Sequence, residues 1–90
     1  MILGVFCVFD SKALTYGMPF FTQNRGAAQR GISLQLRSDS KSMLAQYPED
    51  FALYDMGTYD DDTGVFNTHA PVFVVGVSEL IEGGSNEQQP

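Results

Sequence analysis

The stretch Phe51-Ala52-Leu53-Tyr54-Asp55-Met56-Gly57-Thr58-Tyr59-Asp60-Asp61-Asp62-Thr63-Gly64-Val65-Phe66-Asn67 reads as one β-hairpin. Its first nine residues are rich in aromatic and apolar types with partial alternation, the pattern of a half-buried strand. Strict alternation puts Leu53 on one face and Tyr54, Met56 and Thr58 on the other. Asp60-Asp61-Asp62-Thr63 favours a type I turn, and Gly64 suits the left-handed position that closes a bulged hairpin. Val65–Asn67 is the return strand. Pro71 is expected to interrupt it, because proline cannot donate to a central ladder. Val72–Val77 is then a second β-prone piece, at an edge or paired elsewhere.

Upstream, Ile2–Phe9 is almost continuously apolar, as expected of a central strand buried on both faces. Residues 11–24 have no steady period. Pro19 biases Met18 toward extended geometry, so this segment reads as a loop carrying the aromatic pair Phe20-Phe21. Thr22 or Asn24 can cap a helix starting near Arg25. Ala28, Ile32 and Leu36 recur at i, i+4 and i+8 and form its apolar stripe. Ser42–Gln46 predicts one further helical turn with Met43 and Leu44 inward. Tyr47-Pro48-Glu49-Asp50 is a turn.

The outline is α+β, a small β-α-β-β domain with one helix on a three- to four-stranded, mainly antiparallel sheet. At 90 residues and 9.9 kDa there is room for one domain. We place it at 1–82 and read 83–90 as a flexible polar tail. The Val72–Val77 run is more apolar than a monomer edge normally exposes, which suggests a homo-oligomer, a dimer by sheet extension or strand exchange.

No apolar run approaches the roughly 20 residues of a membrane span. Met1–Phe9 lacks the basic flank and cleavage site of a signal peptide. A single cysteine precludes an internal disulfide and fits an intracellular chain. The search for chemistry returns no catalytic residues and no cofactor. Cys7 sits in the apolar first strand, where an inert buried thiol is expected. His69 has no nucleophile motif near it, and no phosphate-binding glycine loop occurs. Asp60–Asp62 lacks calcium-loop spacing and reads as a solvated turn, with divalent binding left open.

Charge is segregated. The first 45 residues hold five bases (Lys12, Arg25, Arg30, Arg37, Lys41) and two acids; the last 45 hold nine acids and no base. Cations interleaved with aromatics are what single-stranded nucleic acid requires. The candidate nucleic-acid-binding residues are therefore Lys12, Tyr16, Phe20, Phe21, Arg25, Arg30, Arg37 and Lys41. The alternative is a protein-interaction module whose acidic half, with Asp55, Asp60, Asp61 and Asp62, engages a basic protein.

The block Tyr47-Pro-Glu-Asp-Phe-Ala-Leu-Tyr-Asp-Met-Gly-Thr-Tyr-Asp-Asp-Asp-Thr-Gly-Val-Phe66 resembles a signature of the small nonstructural protein of gokushovirus-type microviruses, tailless single-stranded DNA phages. Phe9-Asp10-Ser11-Lys12-Ala13 and Pro19-Phe20-Phe21 followed by Arg25-Gly-Ala-Ala-Gln-Arg30 are similar to two further family segments, in the same order. The likeness spans about residues 5–80. Gly31-Ile32 stands where the family usually has an aromatic. The resemblance implies a nonstructural, DNA-binding protein of the host cytoplasm, associated with viral single-stranded genome synthesis or packaging, with no catalytic residues to carry over. Replication-machinery or host proteins are implied as further partners.

Overall fold

The computed structural model describes residues 1–81. The long strands are β1 (Ile2–Asp10), β4 (Phe51–Asp60) and β5 (Val65–Gly76). Two short strands, β2 (Thr15–Tyr16) and β3 (Phe20–Thr22), lie where the sequence reads as loop. All pairings are antiparallel, in the order β2-β1-β4-β5, with β3 also on β1. The α+β class is as expected, and β1 is central, but the sheet has five strands. Helix α1 (Arg25–Ser38) packs on one face, followed by the single turn α2 (Met43–Gln46) and a 3-10 turn at Pro48–Asp50. Residues 77–81 are helical, so Val77 ends no strand. The segment 83–90 lies outside the described residues.

Local chemistry sets these bounds. Asn24, in extended geometry, accepts from the Ala27 N–H at 2.8 Å and caps α1; an N-cap of this kind contributes about 1 kcal/mol. Ser42 caps α2 through the Ala45 N–H at 3.2 Å. The two hairpin turns are built alike. The Asp10 carboxylate accepts from the Lys12 N–H and the Asp60 carboxylate from the Asp62 N–H. The fifth residue of each, Leu14 (φ 60°) and Gly64 (φ 76°), is left-handed and donates its N–H to the aspartate carbonyl.

Ala28, Ile32 and Leu36 are buried with Phe6, Leu53, Val77 and Leu80 in one core, as the stripe on α1 predicts. Phe20, Leu44, Phe51 and Val75 pack around it. Met43, expected inward, is 62% exposed: in a helix of one turn, Leu44 and Ala45 occupy the only side that reaches the core. Pro71 does not break the return strand. β5 runs through it, and positions 69–71 have no partner on β4, so the missing donor falls in a ladder irregularity.

A further irregularity changes which residues share a face. Phe6 pairs with Asp55 and Val5 with Gly57, leaving Met56 as an extra residue. Thr58, which pairs with Gly4, therefore lies on the side of Phe6 and Leu53 rather than opposite Leu53. Tyr59, paired with Leu3, joins Tyr54 on the other side. Gly57 closes this bulge at φ +130°. A Cβ there would lie 2.3 Å from the Asn67 carbonyl oxygen, so only glycine fits.

Candidate nucleic-acid interface

The sheet face away from α1 is covered by no helix among the described residues, and it is lined with rings. Cross-strand pairing places Phe9 and Tyr54, Tyr16, Phe21, Tyr59, Phe66 and Phe73 on that side. They form two groups. Tyr16 meets Phe9 at 4.7 Å and Tyr54 at 5.5 Å between centroids, and Tyr54 meets Phe73 at 5.9 Å. Phe21, Tyr59 and Phe66 close a second group, with Tyr59 and Phe66 at 4.6 Å. Most contacts are tilted or edge-to-face, the geometry ring quadrupoles favour. Val5 and Cys7 are buried on this side without any helix above them, because the rings lean over them. Burial pushes the Cys7 thiol above its ordinary value. No strand position paired on this face carries a formal charge. Phe21, Phe66, Phe73 and Tyr16 keep roughly half their surface in water, from 43% to 55%.

The eight residues singled out by sequence are not brought to one place. Tyr16 and Phe21 are on the ring face. Phe20 is on the other side, packed on Phe6 at 6.0 Å, as a core residue. Arg25, at the start of α1, directs its Nε to Asp55 Oδ2 at 3.0 Å. Arg30 and Arg37 are exposed on α1, and Lys41 is exposed in the link to α2. Lys12 lies in the turn joining the strands of Phe9 and Tyr16. It is the one base in the strands and hairpin turns that carry the rings. Phe66 and Phe73 escaped the sequence reading. Their signal was the recurrence of aromatics along the hairpin, hidden by the bulge.

Two further clusters are on the helix side or the rim. Asp55 accepts from Arg25 and from the Gly57 N–H, and its Oδ1 lies 3.5 Å from His69 Nε2. The His69 Nδ1 is 2.8 Å from the Ala70 carbonyl oxygen. These groups border a hollow of about 490 Å³ with Ile2, Gly4 and Asn67. At the hairpin tip the Met1 ammonium contacts Asp61 at 2.7 Å and Asp62 at 2.8 Å. Those hydrogen bonds, Asp61 first, raise the ammonium above its usual value of 8.0. The Asp62 N–H holds Asp60 below 3.8. The three carboxylates are close enough to share a cation, and the ammonium already fills that role. Among the described residues no helix is long and apolar enough to cross a membrane.

A small antiparallel sheet with one helical layer and one ring-lined face defines a compact phage-type α+β domain once its relatives are considered. The family model described as "Phage ORF5 protein" matches residues 3–80. "Protein ORF5" of Chlamydia phage 1 is 38% identical over 69 residues, covering 73% of this chain and 72% of that protein. No solved structure matches. The chain belongs to the phage ORF5 protein family, in agreement with the gokushovirus-type resemblance.

Proposed function

We propose that this protein is a non-enzymatic phage accessory protein of the host cytoplasm that binds single-stranded DNA during viral genome synthesis or packaging. The ring face is the observation that supports it. Unpaired bases stack on aromatic faces at about 1–3 kcal/mol per base, irrespective of sequence, whereas duplex bases are not available to do so. Tyr16, Phe21, Phe66 and Phe73 are the residues whose exposed ring surface serves this. Lys12 supplies one phosphate contact. Arg30, Arg37 and Lys41, on the helix side, are not part of this surface.

The reading has a particular electrostatic signature. Each neutralised phosphate of a single strand contributes about 0.7 to the logarithmic salt slope. With Lys12 alone beside the rings, the slope is expected to be about 1 or less, in a chain of net charge −6. Fluorescence anisotropy with a labelled oligothymidylate, its duplex counterpart and a salt titration tests this. Expected are preference for the single strand, a shallow slope, at least about tenfold loss in F66A/F73A, and no loss in R30E. Unchanged far-UV circular dichroism keeps the comparison valid. Equal affinity of F66A/F73A and wild type overturns the proposal, as does a steep slope abolished by R30E.

The acidic half offers the second reading, binding of a basic viral or host protein. Asp55 and the Asp60–Asp62 tip already have cationic partners within the chain, which is why it ranks second. Tight binding of an oligolysine probe lost in D61N/D62N, with no DNA affinity, would reverse the order.

A further inference from the structure

We infer that the hollow beside Arg25, Asp55 and His69 is a binding site for a guanine base. Its volume of about 490 Å³ is within the range of small-ligand sites. The Asp55 carboxylate, mostly buried, is saturated from within the chain. Its Oδ2 accepts from Arg25 Nε at 3.0 Å and its Oδ1 from the Gly57 N–H at 2.9 Å, and His69 Nε2 faces that same Oδ1 at 3.5 Å. The bond to Nε anchors the guanidinium by its inner edge. The outer edge, Nη1 and Nη2, makes no hydrogen bond among the described residues. Neither do the side chains of Gln23, Thr58 and Asn67, which line the same hollow.

Charge selects a neutral ligand. Arg25 is matched by a carboxylate in direct contact, in a chain of net charge −6, so no surplus positive charge draws a phosphate or a carboxylate. What remains is a planar fork of N–H donors without acceptor capacity. Its complement is a rigid neutral edge with two adjacent acceptors. Guanine presents that pair as O6 and N7, whereas adenine sets a donor beside its N7. The N1–H and N2–H groups of guanine are then left for the amide oxygens of Gln23 and Asn67. Cytosine also has two adjacent acceptors, but it keeps a single amino group for the two amides. Ile2, exposed at the rim of the hollow, offers apolar surface to one face of the base. The site is across the sheet from the rings and does not depend on the DNA reading. The same base chemistry is offered by a strand and by a free nucleotide.

Amide proton–nitrogen correlation spectra titrated with deoxyguanylate, deoxyadenylate and deoxycytidylate test this. Sugar and phosphate are common to the three, so a difference reads the base. Shifts are expected at the amides of Gln23, Arg25, Gly57, Thr58 and Asn67, with deoxyguanylate bound at least about tenfold more tightly than the other two. R25K keeps the charge and removes the fork. It is expected to bring deoxyguanylate down to the level of deoxyadenylate while the spectrum stays dispersed. Equal response to the three nucleotides overturns the inference. So does a guanine preference that survives R25K, or the same amides moved equally by inorganic phosphate. An oligothymidylate with one central guanine separates the sources. Binding about tenfold tighter than the all-thymine strand assigns the base to DNA, and unchanged binding beside a deoxyguanylate preference assigns a free nucleotide. A deoxyguanylate preference retained in F66A/F73A keeps this result apart from the fate of the ring-face reading.

Discussion

Phe21 and Phe66 lie on strands separated by two others, yet their ring centroids are 6.1 Å apart. In a flat sheet that separation would be about 14 Å, from a strand spacing near 4.8 Å. The sheet therefore curls toward its ring face, and the rings meet across the hollow. Between them sits Gly57, paired with Val5, which offers no side chain to hold them apart. A curled sheet with filled concavity explains how Val5 is buried with no helix on its side.

Gly57 is the position on which this curvature turns. G57A places a methyl group against the Asn67 carbonyl and the Thr68 Cα in a backbone conformation that alanine resists. We expect a loss of about 3 kcal/mol in urea unfolding, with a weaker near-ultraviolet tyrosine signal as the rings separate. Unaltered stability would contradict the geometry.

Leu14 is the opposite case. It holds φ 60° in the turn after β1, where Gly64 stands in the equivalent turn after β4, and it is 74% exposed. L14G relieves left-handed strain without losing packing. Stability should rise by about 0.5–1 kcal/mol, read as a higher urea midpoint at constant slope.

Leu53 is fully buried in the core, while Leu34 on α1 is 56% exposed. L53A should cost about 2–5 kcal/mol by cavity formation. L34A should stay within about 0.5 kcal/mol of wild type. Similar losses in both would mean that α1 packs through another side.

The acidic tip sets limits in pH. The Met1 ammonium has a folded value above 8.0, so its contribution is complete below 8 and fades as pH rises through the raised value. Cys7, raised above 9.0 by burial, acts in the same direction. Asp60 has a folded value below 3.8, so its contribution is present above 3.8 and is lost as pH falls through the lowered value. Stability should therefore form a plateau between about 4 and 8 with two falling limbs. Acetylating Met1 or C7A should flatten the alkaline limb, and D60N the acid one. A limb unchanged by its substitution would assign it elsewhere.

Much of the fold was legible because local signals agreed. Asn24 before Ala28, Ile32 and Leu36 marks both the start and the buried side of α1. Asp60 to Gly64 fixes the hairpin. The site was less legible, because sequence adjacency does not give the face. Phe20 and Phe21 are neighbours and point to opposite sides of the sheet. Arg25 to Lys41 are near Phe21 in the chain and across the sheet from it in space. Tyr54 and Tyr59 are five apart, which alternation assigns to opposite faces, and only the extra Met56 reunites them. Bulges of this kind depend on pairing between distant strands, which no local pattern encodes.

Position 56 is thus constrained by counting more than by chemistry. Many residues could occupy it as an extra one, but a ladder that ran regularly through it would turn the rest of β4 over. Thr58 would enter the concavity and Tyr59 would leave for the helical layer, while Tyr54 kept its place. One of the two ring groups would be dismantled and the other spared, without a single aromatic having been replaced.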